Sequence, residues 1–317
     1  MTSPSVFELL RPRRAIDGCS AVLLPFRADE TIDWSGFAEH LQRTIDAGLR
    51  PAVNMDTGHV HLLEAADRAR VLDTCSQLAP PGWFGGAVVN DRPGDAFDAK
   101  SLSAECEAIT RRGGVPVIFP SFGLASLDDD AWIDAHESLT DHADTFVAFE
   151  LGTMFHPAGR IVGLNTYERM LRIEACVGAK HSSLEREPEW ERLALRDRVR
   201  PGFHVFTGND LAIDMVMFGS DYLLGLSTFA PDAFAARDAM WAEGDPSFFA
   251  LNDALQYLGH IAFRAPVPAY RHSAAQFLQL RGWLDHSSAG PGEPVRPDSD
   301  IDLLRPVAAR LDELLAS

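Results

Sequence analysis

Residues 175–183 read Ala-Cys-Val-Gly-Ala-Lys-His-Ser-Ser. Small and apolar side chains lead into a single lysine, Lys180. An apolar run this short, following an amphipathic segment, reads as a buried strand of a parallel sheet. A lysine at its end needs a reason, because lysine is rarely buried without a partner and its ammonium costs several kcal/mol to desolvate. A desolvated, neutral lysine is a nucleophile toward carbonyls. An edge strand whose lysine reaches out to solvent, or a carboxylate that merely neutralises it, would account for the residue equally well.

Outward from this strand, the alternation of short apolar run and amphipathic segment repeats in both directions. Apolar runs at 21–26, 51–55, 84–89, 115–120 and 146–151 precede it, and 204–207 and 222–227 follow it. Helical segments are predicted after them at 34–47, 62–78, 96–112, 129–142 and 165–173, then at 185–200, 211–218 and 232–243. In the first of these, Phe37, Leu41 and Ile45 fall four apart on one face, and Gly48 stands where a helix would stop. Eight strand-helix units favour a closed TIM (β/α)8 barrel over an open doubly wound sheet. Three further helices, 248–263, 272–284 and 303–315, follow, the last two separated by a Gly/Pro-rich linker at 287–297. The expected organisation is a barrel over 1–245, with a short N-terminal lead-in, and a helical extension over 246–317.

Composition narrows the classes of function. The chain has 317 residues, 46% hydrophobic and 23% charged, with a net charge of −18. That is a globular composition, and its acidity argues against nucleic acid and acidic membranes as partners, since both call for clustered Lys and Arg. The first fourteen residues are broken by Pro4 and Pro12 and do not read as a secretory signal, and no apolar run is long enough to span a bilayer. Cys19, Cys75, Cys106 and Cys176 are scattered without a CxxC pair, as expected for reduced, buried thiols in the cytoplasm.

Barrel strands alternate between interior and helix layer, and catalytic groups sit at their C-terminal ends. In the fifth strand, placing Val147, Phe149 and Leu151 under the helices leaves Phe146, Ala148 and Glu150 inward. In the sixth, Cys176, Gly178 and Lys180 point inward. In the second, Asn54 and Asp56 point inward and Val53 and Met55 outward. Lys180, Glu150 and Asp56 are thereby expected to converge at the mouth.

Leu24-Pro25-Phe26 with Ile32-Asp33, the loop Asp56-Thr57-Gly58-His59, the strand ending Gly178-Ala179-Lys180-His181-Ser182-Ser183, and the turn Thr207-Gly208-Asn209-Asp210 with Gly219 beyond it carry a resemblance. They resemble the dihydrodipicolinate synthase and N-acetylneuraminate lyase family across nearly the whole chain. The lysine strand and the spacing from Gly208 to Gly219 are the most specific parts. The resemblance implies a TIM barrel, a Schiff base of Lys180 with a 2-oxo acid such as pyruvate, no separate cofactor, and a homo-oligomer, a tetramer or dimer. It further implies that Thr57 and Gly58, with neighbouring Asp56 and His59, hold the substrate carboxylate, that Gly208 lies at the site, and that Arg160 in Pro157-Ala158-Gly159-Arg160 binds a second substrate.

The departures from the family pattern matter as much. Asp56 stands where the family has a hydroxyl residue and would put negative charge near a carboxylate, which is unfavourable unless it is protonated or the substrate differs. The relay tyrosine at the end of the fifth strand is replaced by Phe149-Glu150, and the tyrosine after the fourth by Ser121-Phe122. Glu150 reads as the substitute acid/base. An ionised Glu150 would also hold Lys180 as ammonium, and the pair would titrate as one unit. His59, His61 and His156 with Asp56 and Glu150 raise a metal, but none has strong ligand spacing. Asn54 and Asn90 are placed to bond a substrate or each other. The favoured reading is a Schiff-base lyase or aldolase taking a 2-oxo acid and an aldehyde. The alternatives are a metal-dependent lyase in the same barrel and a barrel that only binds a small acid.

Overall fold

A computed structural model describes residues 6–316. Eight parallel strands close on one another in chain order: β1 Gly18–Ala21, β2 Arg50–Val53, β3 Phe84–Ala87, β4 Val115–Ile118, β5 Phe146–Leu151, β6 Cys176–Ser182, β7 His204–Thr207 and β8 Asp221–Leu224. The last closes on the first, with Gly18 opposite Tyr222. The helices are α1 Trp34–Asp46, α2 Ala65–Leu78, α3 Ala99–Thr110, α4 Phe122–Ala125, α5 Asp129–Glu137, α6 Leu164–Leu171, α7 Arg186–Val199, α8 Pro231–Glu243, α9 Ser247–Ala262, α10 Tyr270–Leu280 and α11 Asp300–Leu315. This is the expected (β/α)8 barrel with three helices added at its C-terminal end.

The elements form for local reasons. In α1, Phe37 and Leu41 are buried against the sheet, and the chain leaves the helix through Gly48 at φ +85°, a conformation that disfavours a side chain. Asp98 and Asp128 cap α3 and α5 by accepting from the backbone N–H of Ser101 and Ala131, at 3.0 and 2.8 Å. Pro231 opens α8, where its missing N–H is not needed. Two strands, β5 and β7, have their expected ends. The first does not: the run expected at 21–26 pairs only as far as Ala21. Beyond it, Leu23 N–H donates to the Thr228 hydroxyl at 3.0 Å and Pro25 has no N–H to offer, so the buried chain leaves the ladder. The helix expected at 211–218 is a 3-10 segment, Ile213–Phe218.

Apolar side chains fill three layers. Phe84, Val117, Val147, Phe149, Phe206 and Leu223 pack inside the barrel. Val53, Ile118, Phe146, Ala148, Ala179 and Val205 face the helices. The third layer joins Tyr222 and Leu224 of β8 to α8, α9, α10 and α11. The helical extension expected over 246–317 thus shares apolar packing with the barrel's last unit.

These layers correct the inward and outward assignments. Val147, Phe149 and Leu151 face the interior, and Glu150 faces the helices. The ladder between β5 and β6 slips by one residue: Phe146 pairs with Cys176, but Val147 pairs with Gly178. Cys176 is therefore outward and Val177 packs on the interior cluster, while Lys180 keeps its inward position. Just after β2, Asn54 takes φ +52°, which breaks the alternation beyond Val53. Its side-chain amide donates to the Arg68 carbonyl of α2 at 3.1 Å, and Met55 turns inward.

Candidate active site at the C-terminal mouth of the barrel

The C-terminal ends of the strands open on a cavity of about 180 Å³. Lys180, from the end of β6, lines it with its Nζ 4.4 Å from the centre of the Phe149 ring. The two residues are directly paired across β5 and β6, which is why the lysine lies over that ring. Gly208, following β7, makes room for it: a Cβ there would stand 2.8 Å from Lys180 Cε and 2.0 Å from Ser182 Oγ. Burial draws Lys180 down from 10.5 to about 8, against the opposing pull of Asp210 and then Asp56.

Asp210, at the end of the same turn, lines the same cavity and interacts with Lys180 as a candidate for proton transfer. Burial pushes its carboxyl up to about 7, although it accepts the Leu226 N–H at 2.7 Å and feels the Lys180 ammonium. An acid and a base whose values lie this close share protons near neutrality and titrate as a pair.

The opposite wall comes from the loop after β2 and from the C-terminal extension. Thr57 Oγ1 and the Tyr270 hydroxyl are 2.9 Å apart, and the same hydroxyl reaches Asp56 Oδ2 at 3.3 Å. Burial would raise Asp56, but Arg271 beside it, followed by His61 and Lys180, holds it below its ordinary value. Arg271 lies 3.3 Å from the Asp56 carboxylate, donates to the Asp56 carbonyl at 2.9 Å, and donates to Glu293 at 2.6 Å. The negative charge that Asp56 brings to the loop is thus offset on the spot. Burial also raises Tyr270 well above its ordinary value, so its hydroxyl keeps its proton.

Of the residues singled out in the sequence, Lys180, Asp56, Thr57, Gly208, His61 and His156 line this cavity. Gly58 lies just behind Thr57, its N–H donating to the Met55 carbonyl at 2.9 Å. Three others are elsewhere. His59 is buried behind the loop, edge-on to Phe26 and 3.1 Å from Glu293. Arg160 is taken up by Asp129 and by the Leu127 carbonyl, on the outer side near Trp132. Glu150 is on the far side of the sheet from Lys180. It is buried and clamped by Arg192 of α7, whose Nη2 is 2.7 Å away, and it accepts the Val162 N–H at 3.0 Å. Burial alone would raise its carboxyl, yet the bonds to Arg192 and then His181 bring it down to about 2. The expectation of an inward acid/base at this position is corrected: the polar side chain faced outward because α7 supplies an arginine to meet it.

The residues missed in the sequence are Asp210, Tyr270, Arg271 and the aromatic side chains of the mouth. Asp210 belongs to the turn already quoted for its resemblance, so a signal was present. Tyr270 and Arg271 reach Thr57 and Asp56 from more than 200 positions away, and no local pattern announces that contact. Asn90 is exposed on a neighbouring cleft. Among the described residues, no group of three His, Cys, Asp or Glu side chains is placed to hold a metal ion. No helix among them is long and apolar enough to cross a membrane.

Fold and mouth together define an eight-stranded parallel barrel with a lysine on the sixth strand facing into the open end. No protein-family model matches the chain. It is similar to a 4-hydroxy-tetrahydrodipicolinate synthase of Kosmotoga olearia, 27% identical over 237 residues, covering 71% of this chain and 75% of the relative. Among solved structures it resembles a prophage protein of the dihydrodipicolinic acid synthase family from E. coli K12, crystallised with pyruvate, with a TM-score of 0.77 and 15% identity. That match covers 93% of this chain and 98% of the other. It also resembles the sialic acid aldolase of Ruminococcus gnavus, with a TM-score of 0.75, 16% identity, and coverage of 94% and 98%. In sequence the chain is thus similar to a dihydrodipicolinate synthase, and in fold to the barrels of that family and of sialic acid aldolase.

Proposed function

We propose that this chain is a lyase or aldolase of the Schiff-base type, acting on a 2-oxo acid such as pyruvate through a covalent imine on Lys180. The observation that carries this reading is the inward Lys180 with its ammonium weakened to about 8. At pH 7 roughly a tenth of the molecules then hold a neutral amine, against well under a thousandth for an exposed lysine. The neutral amine adds to the keto carbon, and the carbinolamine that results must lose water, which requires a proton donor.

Asp210 supports that role better than Glu150, because its carboxyl lies on the lysine's side of the sheet and exchanges protons near neutrality. The Tyr270 hydroxyl, protonated and bonded to Thr57, is the natural donor to the substrate carboxylate, with Thr57 beside it. Arg271 makes the loop electrically tolerable to that carboxylate by offsetting Asp56. Glu150 acts on this reading as a positioning residue, holding β6 from behind through His181 and Arg192. The family likeness also supports a homo-oligomer, dimer or tetramer, which light scattering at micromolar concentration tests.

The test of the chemistry is intact mass after incubation with pyruvate and borohydride. The expected result is one reduced adduct that maps to Lys180 and is lost in Lys180→Ala. An unchanged wild-type mass across a panel of 2-oxo acids, or equal labelling of the variant, would overturn the reading.

A further inference from the structure

A row of touching rings begins under Lys180 and runs outward along one side of the mouth. Phe149, beneath the lysine, meets Phe119 edge to face at 5.1 Å, and Phe119 meets His61 at 5.9 Å. The His61 ring lies parallel to that of His156, 5.3 Å away and inclined by 11°, and Phe122 closes the row 5.8 Å beyond His156. His61 and His156 border both the cavity that holds Lys180 and the adjoining cleft, so the row is continuous between them. Met154 and Phe155, both exposed, lie on the loop after β5 and line the same cavity.

The charges of the mouth exclude a second anion. The cations lining the cavity, among the described residues, are Lys180 and Arg271, and Arg271 is already occupied by Asp56 and Glu293. Arg160, the residue a second carboxylate would need, is turned outward onto Asp129. Burial and then His61 hold the His156 ring below its ordinary value, so it adds no charge at neutral pH. Flat ring faces in a row favour a flat, uncharged ligand through offset and edge contacts.

We propose that the carbon partner joined to, or released from, the 2-oxo acid is an aromatic aldehyde seated along this row. This rests on the Schiff-base reading above and names its substrate class. In the cleavage direction the substrate is a 4-aryl-4-hydroxy-2-oxo acid. The Lys180 amine condenses at C2 with loss of water to give an iminium. The C3–C4 bond then breaks, its electron pair forming the enamine, while the C4 hydroxyl gives its proton to the Asp210 carboxylate and becomes the aldehyde. The enamine takes a proton at C3, and water releases pyruvate and restores the amine. No oxidant or reductant enters, and the iminium formed over Phe149 gains from the ring face.

Two measurements test this and separate its failure from that of the Schiff base. With pyruvate in excess, kcat/KM for benzaldehyde is expected to exceed that for glyceraldehyde by at least tenfold, and His61→Ala and Phe155→Ala to reduce that ratio several-fold. A ratio of one or less, or a ratio unmoved in both variants, would overturn the proposal. In Lys180→Ala, which forms no imine, calorimetry is expected to show 4-phenyl-2-oxobutanoate binding at least tenfold more tightly than 2-oxobutanoate. Equal binding would overturn it, whereas tighter phenyl binding with no borohydride adduct in the wild type would uphold the ring row and reject the imine.

Discussion

Glu150 and His181 stand directly opposite one another across β5 and β6, and meet through a 3.0 Å contact between Oε2 and Nδ1 on the helix-facing side of the barrel. The neighbouring pair in the ladder is Phe149 and Lys180, on the mouth-facing side. One rung thus presents the lysine to the cavity, and the next anchors the same strand to α7 through Arg192. His181 also reaches the Ser183 hydroxyl at 3.0 Å, so both ends of its ring are engaged.

Removing that anchor should cost stability. Glu150→Gln leaves Arg192 buried without a full counter-charge, and the expected loss is about 3 kcal/mol or more, read by urea unfolding at pH 7. The sign with pH is fixed by the direction of the shift. The folded carboxyl lies at about 2, below its ordinary 4.5, so its contribution is present above 4.5 and fades as pH falls toward 2. The gap between wild type and variant should narrow over that interval; a gap constant from pH 7 to 3 would contradict the ion pair.

Asp210→Asn separates the amine from its proton partner. Asp210 raises Lys180, so its loss should move the pH midpoint of borohydride trapping with pyruvate below 8. Turnover should nonetheless fall by about 100-fold, the scale of losing a general acid/base. An unmoved midpoint together with unchanged turnover would assign Asp210 to neither role.

Gly208→Ala should displace the lysine. The added carbon would stand 2.0 Å from Ser182 Oγ and 2.8 Å from Lys180 Cε, closer than real contacts allow. Trapping at fixed pH is expected to drop by at least about tenfold, the order lost when a reacting group is misplaced by around an ångström. Gly208→Ala with Ser182→Ala should recover part of that loss, and the absence of any recovery would mean that the clash is relieved elsewhere.

Tyr270→Phe removes one hydroxyl and little volume. The hydrogen bond to Thr57 is worth about 1 kcal/mol to stability. If Tyr270 also steadies the substrate carboxylate, KM for the 2-oxo acid should rise by about tenfold while the pH midpoint of trapping stays near 8. Unchanged KM would restrict Tyr270 to holding Thr57.

The barrel was legible because eight apolar runs each follow and precede an amphipathic segment, a pattern that survives errors of several residues at every boundary. Lys180 was legible because a lysine ending such a run needs an explanation. Glu150 was not, because both faces of a barrel strand are apolar: Val147, Phe149 and Leu151 suit the interior as well as the helix layer, and only Arg192 decides between them. The slip between Phe146 and Val147 and the positive φ of Asn54 each moved side chains across the sheet without any mark in the hydrophobic pattern. Tyr270 and Arg271 were illegible for a different reason, since their partners are determined by how α10 packs.

That packing sets an order of events during synthesis. Lys180, Asp210 and Thr57 all leave the ribosome before Tyr270 and Arg271, and α10 shares its apolar layer with α11, which follows it. A nascent barrel can close around its lysine while the loop after β2 still lacks the hydroxyl and guanidinium that steady it. The mouth is therefore completed only after all eight barrel strands have emerged, and a chain stopped short of residue 270 would carry the lysine without the wall that faces it.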